Sequence, residues 1–167
     1  LTLTGGGLIL SLLHLLLLIV VANGAPIIAR NLLAPRFNLP LDFYVQFRNR
    51  DLFGPSKTWR GVVASIVCTS ILAVLLGYSV EVGILVAVYA MAGDVFSSFI
   101  KRRLNMQPSS MAPFLDQIPE SLLPAVMMHA QFGLDVLSVM ILVLSFIALE
   151  LILSQILYRL GIRKTPY

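Results

Sequence analysis

The chain has 167 residues, of which 58% are hydrophobic and 12% charged, and its net charge is +4. A soluble domain carries about 25% charged residues, so this composition excludes one and points to a polytopic membrane protein. In such a chain the basic excess reports topology and anionic headgroups rather than nucleic acid.

The first predicted helix, about 6–29, has no charge before Arg30 and reads as a true span rather than a cleaved signal. His14 lies deep in it and reads as structural. Near its end, ANGAP at 22–26 sets Asn23, Gly24 and Pro26 where they would interrupt the helix. Broken helices free backbone groups that bind ligands in membrane proteins, so Asn23 is a candidate for reading a base or a phosphate; a plain kink is the alternative.

A long loop, about 30–60, follows. It holds Pro35, Pro40 and Pro55, six of the twelve basic residues, and Phe37, Phe43, Tyr44, Phe47, Phe53 and Trp59. Loops longer than about 12–15 residues in a compact domain are usually functional or disordered, and the aromatic content favours an ordered or membrane-hugging loop. It ends in FGPSKTWRG, 53–61. After the Gly54–Pro55 turn, Lys57, Thr58 and Arg60 offer a point charge, a hydroxyl and a planar fork, which is phosphate-binding chemistry. It is not a Walker A loop, and a juxtamembrane basic anchor is the plainer reading.

Two predicted spans come next, about 61–78 and 83–100, joined by GYSVEVG. Cys68 is the only cysteine, so no intrachain disulfide forms; the thiol reads as packing in an apolar span. The second of these spans ends in GDVFSSFIKRR, 93–103. Asp94, Ser97, Ser98 and Lys101 recur at i, i+3, i+4 and i+7, which is one helix face. A charge inside a span costs roughly 2.5–3.5 kcal/mol on insertion scales, so this stripe faces a cavity or a partner. Pairing of Asp94 with Lys101 or Arg102 is the structural alternative.

A second loop, about 101–116, leads to a fourth predicted span, 117–132, weak in hydropathy and carrying Pro119, Glu120, Pro124 and His129. Asp116 stands at its base, where it could also serve as a helix N-cap. A fifth span, about 134–158, contains Glu150, whose role the sequence leaves open. His129 reads as structural, and Glu81 and Asp135 as solvated charges beside outer turns. All Lys and Arg residues fall in 30–60, 101–103 and 159–164. The positive-inside rule places these three segments in the cytoplasm, and parity then requires five crossings, including the weak fourth. The expected fold is a single all-α integral membrane domain with its N-terminus outside, its C-terminus cytoplasmic and two cytoplasmic loops forming the site.

Two acids and about five bases thus meet at one membrane face. Asp94 and Asp116, at one depth on consecutive helices, can share a divalent cation. A site with few carboxylates that leaves room for substrate phosphates is typical of Mg²⁺.

ANGAP, FGPSKTWRG, GDVFSSFIKRR and the PSSMAPFLDQIP block together resemble the archaeal CDP-archaeol synthases. These are membrane cytidylyltransferases related to the bacterial and eukaryotic CDP-diacylglycerol synthases. The Gly-His-Gly-Gly run of the latter is absent here, and Asp116 is followed by Gln117-Ile118-Pro119, which points to the archaeal branch. The resemblance implies transfer of CMP from CTP to 2,3-bis-O-(geranylgeranyl)glycerol 1-phosphate, an isoprenoid ether-lipid phosphate, with Mg²⁺ as cofactor, at the cytoplasmic side of the cell membrane. In that mechanism Asp94 and Asp116 hold the metal. Lys57, Thr58, Arg60 and the adjoining Gly61 bind the triphosphate, with Asn23 a further contact. Ser97 and Ser98 donate hydrogen bonds, and Lys101 and Arg102 neutralise phosphate. A CDP-alcohol phosphotransferase would need DGxxAR and a lipid phosphatase an SGH segment; the sequence has neither. From another class, a small transporter or a non-catalytic lipid-binding subunit stays open, although a transporter would set its polar residues near the bilayer midplane.

Overall fold

The computed structural model describes residues 5–33, 36–107, 112 and 114–159. Pro35, residues 108–111 and 113 of the PSSMAPFLDQIP block, and Arg163 and Lys164 lie outside them. The elements in order are α1 (Gly5–Leu33), the short hairpin β1 (Gln46–Phe47) and β2 (Arg50–Asp51), α2 (Trp59–Leu75), α3 (Val80–Arg103), α4 (Gln117–Phe132) and α5 (Val136–Arg159). Five helices stand close to the predicted ranges. Three of them, within α1, α3 and α5, are long and apolar enough to cross a membrane, whereas α2 and α4 have 17 and 16 residues.

Helix α1 packs on the other four helices, and neighbours in sequence pack together. Leu15, Leu18 and Ile19 of α1, Val86 of α3, Ala125 and Met128 of α4, and Leu142 and Phe146 of α5 form one buried core. The outer faces carry large exposed apolar side chains such as Leu10, Leu75, Leu137 and Leu144, the surface expected against lipid tails. Lipid is as apolar as leucine, so association between spans relies on close packing of small residues. Here Gly83 lets α3 lie against α2: a Cβ there would stand 2.8 Å from the carbonyl oxygen of Thr69 and 2.9 Å from the nitrogen of Ser70. Gly93 does the same against α4, where a Cβ would meet the carbonyl of Pro119 and come within 2.8 Å of the Glu120 nitrogen.

Two expectations are corrected here. ANGAP does not interrupt α1, which runs on through Pro26 to Leu33; the Asn23 amide donates to the Ile19 carbonyl of the same helix at 3.0 Å. Cys68 is not core packing, because it sits on an exposed face of α2. The structural reading of His14 fits its setting: Nδ1 lies 3.0 Å from the Tyr78 hydroxyl, whose ring packs on Phe132 at the α2–α3 turn end of the bundle.

The 36–58 loop is ordered by Asp42, a buried carboxylate. One oxygen accepts the N–H of Tyr44 at 3.1 Å, and the other accepts those of Phe53 and Gly54 at 3.0 Å each. The Leu41 N–H bonds the Lys57 carbonyl and the Trp59 N–H the Leu39 carbonyl, so residues 39–41 and 57–59 run side by side. These bonds fix FGPSKT as a turn at the head of α2.

Candidate active site

At the loop end of the bundle the polar residues of α2, α3 and α4 turn inward. Lys57 Nζ lies 2.5 Å from both carboxylate oxygens of Asp94. The two side chains are only 21% and 19% exposed. Asp94 therefore pairs with a lysine from the FGPSKT turn, not with Lys101 or Arg102 on its own helix. Burial works against the Lys57 charge, but the carboxylates of Asp94, Glu120 and Asp116 outweigh it and hold the ammonium above the ordinary lysine value. Lys101, one turn below the serines, instead reaches Asp116 at 2.7 Å. The site thus holds two lysine–aspartate pairs that cross between elements.

The remaining predicted residues take distinct places. Thr58 is the N-cap of α2, its hydroxyl oxygen accepting the Gly61 N–H at 3.3 Å. Gly61 is a packing position: a Cβ there would stand 3.2 Å from Pro26 Cβ, which seats ANGAP against the start of α2. Arg60 is buried and donates to the Arg36 carbonyl at 2.7 Å and to Asn38 Oδ1 at 3.2 Å, tying down the loop. The Ser97 hydroxyl donates to the Asp94 carbonyl at 2.9 Å, and Ser98 is buried beside it. Arg102 is buried and faces Asp51 and Asp116. Asp116 stands at the N-cap position of α4 but makes no side-chain cap; its Oδ2 accepts the Ala112 N–H at 3.3 Å.

Glu120 belongs to this site, although its sequence reading stopped at its place in a weak span. It is 7% exposed. It hydrogen-bonds Asp94, and it faces Lys57 and Glu150. The close crossing at Gly93 sets it there. Two prolines flanking an acid in a 16-residue apolar stretch were the available signal.

Among the described residues no three His, Cys, Asp or Glu side chains stand together as a metal cage. The donor set fits Mg²⁺ in the other manner, with one or two carboxylates and the rest of the shell from substrate phosphates and water. Asp94 and Asp116 both face Lys57 and would supply those carboxylates.

The family model for CDP-archaeol synthase of the CarS-like type matches residues 7–167. The chain belongs to the CDP-archaeol synthase family. Among its relatives, the CDP-archaeol synthase of Hyperthermus butylicus is 34% identical over 104 residues, covering 58% of this chain and 59% of that one. That of Sulfolobus acidocaldarius is 28% identical over 169 residues, covering 96% and 99%. The match thus spans about three fifths of the H. butylicus relative and nearly all of the S. acidocaldarius one. A solved intramembrane enzyme of archaeal membrane lipid biosynthesis superposes with a TM-score of 0.72 at 27% identity, over 83% of this chain and 89% of that one. Membership of the CDP-archaeol synthase family and the apolar helices make this a membrane protein.

Proposed function

We propose that the chain is a membrane cytidylyltransferase. It moves CMP from CTP onto the phosphate of 2,3-bis-O-(geranylgeranyl)-sn-glycerol 1-phosphate, with the site on the cytoplasmic side and five helices crossing the bilayer. The observation that carries the chemistry is the pairing of Lys57 with Asp94 and of Lys101 with Asp116 at one end of the bundle. Two ammoniums and two carboxylates in a largely buried setting suit a reaction whose reactants are all phosphates. The names of the family and its relatives support the lipid and the nucleotide.

In the reaction an anionic oxygen of the lipid phosphate attacks the α-phosphorus of CTP. The bond from that phosphorus to the bridging oxygen of the β-phosphate breaks, and pyrophosphate leaves with the electron pair. A new phosphoanhydride joins lipid and CMP. The attacking oxygen already carries charge near neutral pH, so no strong general base is needed, and catalysis is positioning and charge neutralisation. Lys57 follows the leaving pyrophosphate. Lys101 and Arg102 neutralise the lipid phosphate or the triphosphate, and the Thr58 hydroxyl, whose oxygen caps α2, retains a proton to donate. Arg60 and Gly61 act by holding the loop and the start of α2, and Asn23 lies on the helix that packs there. Mg²⁺ held by Asp94 and Asp116 would neutralise phosphate charge as it develops.

The test is transfer of radiolabel from each nucleoside triphosphate, with Mg²⁺, into ether-lipid phosphate or diacyl phosphatidic acid. Label is expected to pass from CTP to the ether lipid, and Asp94→Asn to abolish it while the bundle stays folded. Near-wild-type turnover by that variant overturns the metal assignment. No transfer with any pair overturns the enzymatic reading and leaves a transporter or lipid-binding subunit.

A further inference from the structure

A surface feature lies beside the paired lysines without belonging to them. Residues 36–43 are gathered around the head of α2. The Arg60 guanidinium donates to the Arg36 carbonyl at 2.7 Å and to Asn38 Oδ1 at 3.2 Å, and the Trp59 N–H donates to the Leu39 carbonyl at 3.1 Å. The Phe43 ring tilts against that of Trp59, with centroids 6.0 Å apart. The backbone is tied down, yet the side chains of Phe37, Leu39, Phe43 and Trp59 are exposed, Phe37 by 75% and Phe43 by 58%. Both phenylalanines also sit in the left-handed region, at φ 56° and 48°, which a bulky residue adopts only at a cost. In water each ring would add the cost of exposed apolar surface to that of its backbone. At a membrane interface the first cost becomes a gain, because apolar area leaves water and aromatic rings favour the headgroup level.

The surroundings of the patch decide what covers it. Trp59 begins an exposed apolar stripe with Val63, Val67 and Ile71; residues four apart share one side of a helix. That stripe belongs to the lipid-facing surface of the bundle, and the aromatic patch continues it past the end of α2. Arg36 adjoins the patch and Arg30 lies in the last turn of α1. Both are exposed, and neither forms an ion pair among the described residues. An apolar surface edged by arginines that no carboxylate neutralises matches a leaflet with anionic phosphates. From Val45 onward the chain leaves the patch. The Leu52 N–H donates to the Val45 carbonyl, and Arg103 ties the hairpin to the end of α3 through the carbonyls of Phe47 and Asp51.

We infer that the aromatic patch of residues 37–43 docks into the headgroup region of the leaflet beside α2, with Arg30 and Arg36 on lipid phosphates, and so fixes the turn that carries Lys57 at the depth of those phosphates. The docking stands on the surface itself; its consequence for Lys57 rests on the cytidylyltransferase reading. Lys57 precedes Trp59 by two residues. Its carbonyl accepts the Leu41 N–H at 2.8 Å, so the strand that bears the patch also holds the lysine's backbone. With 17 residues α2 does not set its own depth by length. Interfacial aromatic and arginine anchors do set it.

The test first reads where the rings lie. Trp59 is the only tryptophan, so in a Trp59→Phe background Phe37→Trp and Phe43→Trp each place a single fluorophore in the patch. The full chain is reconstituted in vesicles of phosphatidylcholine and phosphatidylglycerol whose acyl chains carry bromine either near the headgroup or near the bilayer centre. Both probes are expected to lose more emission to shallow bromine than to deep, and to be shielded from aqueous acrylamide. Acrylamide quenching equal to that of free N-acetyltryptophanamide, with no loss to bromine, overturns the docking. Shielding that vanishes when the protein is diluted in lipid also overturns it, because a second copy would then be covering the patch. The lipid-transfer assay reads the consequence. Phe37→Asn combined with Phe43→Asn removes both rings and suits the left-handed backbone, which asparagine adopts readily. The pair is expected to raise the KM for ether-lipid phosphate presented in vesicles about tenfold, since small displacements in a positioned site are costly, and to leave the KM for CTP unchanged. An unchanged lipid KM, or equal rises for both substrates, overturns the role at Lys57. If the unaltered chain transfers from no nucleotide, the cytidylyltransferase reading falls and the quenching pattern still decides the docking.

Discussion

At the scale of single residues the site is a matter of which charge faces which. Lys57 is held charged by three carboxylates against the cost of its own burial. Lys57→Met takes the ammonium from beside Asp94 and Glu120 and removes a donor from the leaving pyrophosphate. Loss of one such preorganised donor costs about 10²- to 10³-fold in kcat, and that is the expected fall in CMP transfer, read with saturating CTP and lipid. Asp135 provides a control far from this chemistry. It is exposed, and its carboxylate accepts the Ser138 N–H at 2.9 Å while its carbonyl accepts that of Val139, so it caps α5. The hydrogen bonds from Ser138 hold it below the ordinary carboxylate value of 3.8. Because the folded value is the lower one, the stabilisation is present above 3.8 and lost as pH falls through the folded value. Asp135→Ala should therefore lower the melting temperature at neutral pH, with the deficit closing in strong acid and CMP transfer unaffected. Asp94 and Lys101 stood out because polar residues recur on one face of an apolar helix, and Asp116 because it stands at the base of the fourth predicted span. Asp42 and Glu120 did not: a loop acid shows no periodicity, and an acid between two prolines looks like a poor span. Thr58 and Gly61 were legible as a motif, but a motif does not separate a cap and a packing glycine from a ligand.

At the scale of elements the site depends on how closely helices approach. Glycine in a helix interior costs about 1 kcal/mol relative to alanine, so Gly93 is retained against its own helix's preference. The return is the crossing with α4, where the backbone of Pro119 and Glu120 fills the space a Cβ would need. Alanine at 93 should push the head of α4 away and draw Glu120 and Asp116 from Lys57 and Lys101. The expected result is a stably folded protein with CMP transfer down by at least about tenfold, since small displacements in a positioned site are costly. Wild-type activity from Gly93→Ala would show that the crossing does not set the site. Pro26 teaches the complementary lesson. A proline in the helix interior removes one hydrogen bond, which suggested a break; α1 nevertheless runs through Pro26 to Leu33, and Pro26 stands against the start of α2 at Gly61. Helix existence was readable from apolar runs, whereas continuity through a proline is set by partners distant in sequence.

At the scale of the whole molecule the charges are segregated by end. The lysine–aspartate pairs, the hairpin and the buried arginines gather where α2 begins and α3 ends, while His14, Tyr78 and Phe132 pack at the other end. A helix of 17 residues rises only about 26 Å, short of a hydrocarbon core of about 30 Å. If α2 nevertheless crosses, the bilayer thins around it or its flanking residues snorkel, and the two ends of the bundle face different compartments. Single cysteines test this directly. With Cys68 first changed to alanine, Val45→Cys in the exposed loop and Glu81→Cys at the start of α3 provide one probe at each end. In sealed inside-out vesicles a membrane-impermeant maleimide should label the first and spare the second, and right-side-out vesicles should reverse the result. Labelling of both from one side would mean that α2 does not cross, and the five-span topology inferred from the basic residues would fall with it. The expected pattern places both paired lysines toward the cytoplasm, where a charged nucleotide arrives from water and a lipid phosphate from the leaflet. One end of one small bundle then serves both substrates without either having to pass through the membrane.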